Sequence, residues 1–397
     1  FRALWRSGYG GYGGYGGYGG YGGYGGYGRY GRYGRYGRYG QIMMRWMRQW
    51  PIGLACLMLA GLLIAAMTLA ITLGSVSLYP GTVWRILLHE MGQRAGLALL
   101  TPDWSMQHYQ IVWMIRMPRI LLAALVGAGL ATVGVVMQAM VRNPLADPYM
   151  LGVSSGASVG AVSVLAFGSL AAAGVYAISA GAFLGALAAA IVVYWLARQG
   201  GRIEATRLIL SGVAVGYFLM GLTSLITLTS GQRDLANALL TWTLGSLAGA
   251  QWDHLALPAA LLLLGVLWLV LQARALNALL TGDETAGTLG INPHALRRVL
   301  FAVISLITGT MVAVSGAIGF VGLVIPHITR MLVGVEHRRV LPVAALLGAI
   351  FLVLVDLMAR TVLAPMEIPV GVITSLIGGP FFVWMLARKA RSVKGFA

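Results

Sequence analysis

Few residues in this chain combine in ways that could support covalent chemistry. Gly152-Val153-Ser154-Ser155-Gly156 has the G-x-S-x-G spacing of a hydrolase nucleophile elbow, which needs a strand-to-helix turn and His and acid partners in range. Here it enters a long apolar stretch, so it reads as the start of a membrane helix and an esterase is set aside. The six histidines are scattered, with no pair at i, i+4 and no cysteine cluster, so the pattern argues against a metal site. A phosphate-cradling loop needs Gly-Lys-Ser/Thr, yet the only lysines are Lys389 and Lys394, and neither follows glycine. The chain is therefore no ordinary P-loop ATPase, and any ATP-driven motor must be a separate chain. Cys56, the lone cysteine, lies in an apolar run and is read as a packing residue. One ionisable group stands out. Asp356 sits in an apolar helix, where a carboxylate costs about 2.5 to 3.5 kcal/mol on insertion scales and so needs a partner. Arg360, four residues on, can supply it. Alternatively, Asp356 is the proton site of an ion-coupled secondary transporter.

The elements that hold these residues follow from composition. The residues are 58% hydrophobic and 10% charged, against about a quarter charged in soluble domains. Apolar runs of about 20 residues, each able to cross a ~30 Å hydrocarbon core, recur from Pro51 to Leu386. They are too long and too rich in Leu and Ala for barrel strands, so they are helices. The predicted spans are 51–74, 118–140, 149–168, 175–197, 207–230, 254–273, 297–316, 319–334, 341–364 and 369–387, an all-α polytopic membrane protein of about ten transmembrane helices. Small residues four apart, as in Gly156 with Gly160, Gly181 with Gly185 and Gly212 with Gly216, predict close helix crossings. Two segments should break the helical pattern, Asn143–Pro148 and Ile325-Pro326-His327, and they suggest corresponding positions in two inverted halves.

The net charge of +17 is carried almost wholly by arginines clustered between apolar runs, a topology signal and not a nucleic-acid footprint. Placing Arg45, Arg48, Arg142, the 198–207 loop, the 274–298 stretch, Arg338, Arg339 and the 388–394 tail inside makes both termini cytoplasmic. Arg116, Arg119 and Arg360 then fall outside, against the rule. Two readings stand: they dock an acidic partner through bidentate pairing, or they are paired locally, as Arg360 with Asp356. On the cytoplasmic side, Thr281–Ile291 is too polar to cross. Gly290 followed by Asn292-Pro293 predicts a helix-turn-helix suited to a partner's groove.

Residues 8–40 repeat Gly-Gly-Tyr and then Gly-Arg-Tyr with period three, a composition that cannot bury a core. Residues 1–42 are read as a low-complexity, disordered or artefactual tract. Met43 or Met44, followed by Arg45 and Arg48, is read as the start of the permease domain, 43–397, with an uncleaved first helix.

From Arg116 to the C-terminus the chain resembles the FecCD-type permeases of type II ABC importers, which include iron-siderophore, haem and vitamin B12 systems. The motifs match in order: Arg116-Met-Pro-Arg119, Gly134 to Gln138 leading into Asn143-Pro-Leu-Ala, Leu151 to Ala157, Gly282 to Gly290, Gly319 to His327, and Glu367-Ile-Pro-Val-Gly371. The resemblance implies the type II ABC importer permease fold. The assembly it implies is a homodimer in the bacterial inner membrane, surrounded by lipid, with two cytoplasmic ATPase subunits and an external substrate-binding protein. The permease itself would bind no cofactor, and ATP would be used by the partner subunit. Carried over by residue, Arg116, Arg119 and Arg360 would receive acids of the binding protein. Gly282, Asp283, Glu284, Ala286, Leu289 and Gly290 would couple to the ATPase, while Asn143, Leu145 and Thr206 would form the cytoplasmic gate. Ala205 appears where some relatives carry a polar residue.

Overall fold

A computed structural model of the chain describes residues 51–394 apart from Ser75, Ala98, Leu99 and Gly201. The Gly-Tyr-Arg tract and the proposed start at Met43 or Met44 lie outside the described residues.

The described residues are helical nearly throughout. The first helix, α1 (Ile52–Thr72), is followed by α2 (Pro80–Arg94). A short turn, Met106–Tyr109, passes through a π-helical stretch, Gln110–Arg116, into α3 (Met117–Val141). Next come α4 (Val153–Phe167), α5 (Ala177–Ala197), α6 (Ala205–Thr229), α7 (Arg233–Thr243), α8 (Ala256–Leu271) and α9 (Ala273–Thr281). The chain ends with α10 (Asp283–Thr288), α11 (Pro293–Ser315), α12 (Val321–Val333), α13 (His337–Thr361) and α14 (Val370–Lys394). A two-residue antiparallel ladder, Arg198–Gln199 with Arg202–Ile203, joins α5 to α6.

Among the described residues, eight helices are long and apolar enough to cross a membrane, and two apolar helices, α4 and α12, are shorter. With 15 and 13 residues, these two fall below the ~20 needed for a full crossing. Each follows a break in the α-helical run, a 3-10 turn at Pro148–Leu151 before α4 and irregular backbone before α12, and the two breaks touch. The Tyr149 hydroxyl donates to the Ile318 carbonyl at 3.0 Å and accepts from the Ile318 amide at 2.9 Å.

The second expected break is displaced. Ile325-Pro326-His327 lies inside α12, and the interruption is at Gly316–Phe320, where Gly316 and Phe320 take positive φ of 68° and 67°. Proline inside a helix deprives the carbonyl four residues earlier of its donor. That carbonyl belongs to Gly322, and Gln138 Nε2 on α3 donates to it at 3.3 Å. The Gln138 side-chain carbonyl, Oε1, accepts from Arg330. Replacing Gln138 by leucine should leave Gly322 and Arg330 without these partners and cost about 1–3 kcal/mol. A lowered thermal midpoint of the detergent-solubilised variant would register the loss.

Helix α3 is the centre of the bundle: 78% of the residues in an apolar 18-residue stretch of Met106–Val141 are buried, against 17% in the corresponding stretch of α6. It packs on α11, α12 and α13, while α4 packs on α5 and α6. The predicted small-residue crossings are present. A Cβ built on Gly156 would meet Gly185, one on Gly160 would meet Gly181, and one on Gly212 would overlap the Met150 carbonyl. Gly152 opens α4 from a left-handed conformation, φ 69°, so the Gly152–Gly156 motif is a helix start.

Candidate functional site

Polar groups collect at the two ends of α3. Arg119 and Val141 stand about 33 Å apart along it at 1.5 Å per residue, close to the thickness of a hydrocarbon core.

At the Arg119 end, the last four carbonyls of α1 have no helical partners of their own. Leu73 N–H caps Leu69 and Leu78 N–H caps Thr72. Arg360 Nη2 donates to the Ala70 carbonyl at 3.0 Å, and Arg116 Nη1 donates to Ile71 at 2.5 Å. Arg116 Nη2 also reaches the Val76 carbonyl at 2.6 Å. Two guanidinium groups thus complete a helix C-terminus, where the macrodipole favours cations. Asp356, fully buried, divides its carboxylate between Arg119 Nε at 2.8 Å and Arg360 Nε at 3.0 Å. Arg119 Nη1 continues to Glu367 at 2.8 Å. The network therefore joins α1, α3, α13 and the turn before α14. The three arginines that stood against the topology rule are brought together, each less than a tenth exposed and each hydrogen-bonded within the chain. Local pairing is what the geometry contains, and Glu367, with a side chain 46% exposed, is the member that reaches the surface.

At the other end, α10 follows Gly282, whose φ of 121° only glycine adopts readily. The helix exposes Glu284 and Gly287, buries Ala286, and is capped by the exposed Leu289 ahead of Gly290 with φ 77°. Asn292 Oδ1 then accepts from the His294 and Ala295 amides and Pro293 takes the first turn, which starts α11. Asp283 forms a bidentate pair with Arg297, both contacts 2.7 Å, and lies 3.4 Å from Arg142. The Arg297 hydrogen bonds, ahead of its charge and that of Arg142, hold the Asp283 carboxyl below its ordinary pKa of 3.8. A lowered folded-state value means the pair's stabilisation is complete above the unfolded-state value and is lost as pH falls through the folded-state one. The stability difference between wild type and Asp283→Asn should therefore be flat near neutrality and shrink below about pH 4, a trend that thermal melts across pH will follow.

Asn143 and Leu145 form a turn beside this pair, with Leu145 N–H donating to Asn143 Oδ1 at 2.9 Å. Thr206 is exposed, and with Ala205 it lines a cleft of about 450 Å³ whose other wall includes Arg142, Asp283, His294 and Arg297. Of the expected coupling and gate residues, Asp283 and Thr206 line this one cleft.

Residues 62–388 match the FecCD transport family. The chain belongs to the FecCD transport family. It is 40% identical over 345 residues to the hemin transport system permease protein of Yersinia pestis, covering 85% of this chain and 98% of that protein. It is 46% identical over 284 residues to the cobalamin import system permease protein of Halobacterium salinarum, covering 71% of this chain and 75% of that protein. A metal-chelate type ABC transporter solved in an inward-facing conformation superposes with a TM-score of 0.72 at 30% identity, covering 84% of this chain and 99% of that one. FecCD proteins are membrane-spanning permeases, so this chain is a permease whose ATP hydrolysis lies on a separate subunit. As a FecCD permease it is not described by the rival reading of an ion-coupled carrier, and Asp356 is committed to two guanidinium groups.

Several residues of these two ends were not singled out as site residues by sequence. Glu367 appeared only within a motif, and Arg142 and Arg297 counted only as topology charges. Gln138 was one letter in a matching stretch. The usable signal was the spacing of Asp283 and Arg297 across a turn ended by glycine and restarted by Asn-Pro.

Proposed function

We propose that this permease works as a homodimer with two cytoplasmic ATPase subunits and an external substrate-binding protein. In the bacterial inner membrane, with both termini cytoplasmic, it passes an iron-siderophore, haem or cobalamin-like compound inward by ATP-driven alternating access. The observation that carries this reading is the family match across residues 62–388, joined to two polar ends set a membrane thickness apart on α3. Hemin and cobalamin are the cargoes named for two of its relatives, which supports the substrate class.

In this reading α10, a short helix with Glu284 and its cap residue Leu289 exposed, seats on the ATPase, and Asn143, Leu145 and Thr206 close the pathway on the same side. Arg116, Arg119 and Arg360 serve the binding protein from within their network. An incoming carboxylate competes with the half-exposed Glu367 for Arg119 and leaves the Asp356 pairs intact. Reversing all three arginines to glutamate would crowd carboxylates around buried Asp356 and test folding. Glu367→Gln is the cleaner probe, because it removes the carboxylate that competes for Arg119 and should tighten attachment of the binding protein.

The deciding experiment reconstitutes the permease with its ATPase and binding protein in liposomes and offers hemin, a ferric hydroxamate and cyanocobalamin in turn. Uptake of one of them that requires ATP and ignores a protonophore is expected. Uptake that proceeds without the ATPase and collapses with a protonophore would point to a carrier instead.

A further inference from the structure

Three elements meet at one carboxylate on the α10 side of the molecule. Asp283 is the first residue of α10. Its partner Arg297 belongs to α11, is 4% exposed, and donates through Nε to the Met140 carbonyl at 3.3 Å, close to the end of α3. Its second cation, Arg142, is the cap residue of α3, held in a left-handed conformation at φ 54°, and the next residue is Asn143 of the turn. A bidentate guanidinium–carboxylate pair fixes direction as well as distance. A shift of Asp283 therefore acts on α3 by two routes, through Arg297 to Met140 and through Arg142 to Asn143.

We propose that Asp283, Arg297 and Arg142 form a clamp that carries displacement of α10 to the Asn143–Leu145 turn, with Arg142 and Arg297 as positioning residues for transport. This rests on the reading above, in which α10 meets the ATPase and the turn closes the pathway. The two arginines divide the work. Arg297 is buried and holds the clamp closed, so its removal strands a charge inside the protein. Arg142, with a side chain 43% exposed and 3.4 Å from Asp283, is a looser arm whose loss spares the fold.

Arg142→Gln is accordingly the informative variant, studied in the complete permease–ATPase–binding-protein complex in liposomes, with hemin, a ferric hydroxamate and cyanocobalamin each tried as cargo. The readout is substrate taken up per ATP hydrolysed, beside the thermal midpoint of the complex. The clamp predicts an unchanged midpoint, continued ATP hydrolysis and a ratio reduced about tenfold, the scale of a single coupling contact. Arg142→Lys, which keeps the charge, should recover most of the ratio. A wild-type ratio in Arg142→Gln overturns the clamp while leaving the permease reading intact. Absence of ATP-dependent uptake in the wild-type complex overturns that reading and the clamp with it. An Arg142→Gln complex that melts early, with uptake and hydrolysis falling together, overturns the clamp in favour of a structural role.

Discussion

Replacing Asp356 by alanine is expected to leave little folded permease. The carboxylate is fully buried and takes one contact from Arg119 and one from Arg360, whose side chains are each 8% exposed. Removing it leaves Arg360 with no carboxylate and Arg119 with the half-exposed Glu367 alone, in a medium that solvates charge poorly. Breaking a buried pair on one side costs about 3–5 kcal/mol. Here the expected loss lies at the upper end of that range, because Arg360 also holds the open end of α1. The thermal midpoint of purified protein should fall steeply and the monodisperse fraction with it. A control separates charge stranding from lost volume: Asp356→Ala combined with Arg119→Met and Arg360→Met removes the stranded cations and should regain much of the loss. A melting temperature unchanged in Asp356→Ala would show that the network contributes nothing to the fold.

Gly134→Leu should be similarly severe, for a steric reason. A Cβ at position 134 would overlap the Gly322 carbonyl where α3 crosses α12. Neither backbone can yield freely: Gln138, one turn further along α3, donates to that same carbonyl, and α3 is held on another side where Gly127 meets Gly348 of α13. Overpacking a well-packed core costs about 1–3 kcal/mol and more where backbone must move. The expected loss is about 3 kcal/mol or more, with a smaller loss for Gly134→Ala. Detergent-extracted yield and thermal midpoint together should order wild type, alanine and leucine. Equal stability of the leucine variant would contradict a tight crossing of α3 and α12 at this point.

The membrane helices were legible in the sequence because hydrocarbon imposes long apolar runs, and each of the ten predicted spans has a helix in the structure. The α10 turn was legible too, since Gly282 and Gly290 take positive φ and Asn292-Pro293 is a helix-start signal that local chemistry fixes. Helix α2 was missed within the 75–115 segment. Its buried Val83, Ile86 and Leu87 alternate with exposed Trp84, Leu88 and Met91, so apolar residues on both faces erase the period that reveals an amphipathic helix. The break near Pro326 was misplaced because proline normally interrupts a helix, whereas here a glutamine on another helix supplies the donor that Gly322 loses. The arginines stood out by their place against the topology rule, and spacing offered the Asp356–Arg360 pair, but the partners of Arg119 were not legible. Arg119 meets Asp356 and Glu367 across 237 and 248 positions of chain, and no local pattern encodes a contact of that separation.

Sidedness is the claim on which docking, coupling and gating all depend, and impermeant maleimide labelling of single cysteines in intact cells tests it directly. In a Cys56→Ala background, Met366→Cys lies beside the Arg119–Glu367 pair and Leu289→Cys sits at the C-terminal cap of α10, both at well-exposed positions. The account predicts that Met366→Cys is labelled from outside and that Leu289→Cys reacts only after the cells are opened. Labelling of Leu289→Cys in intact cells, with Met366→Cys protected until lysis, would contradict it.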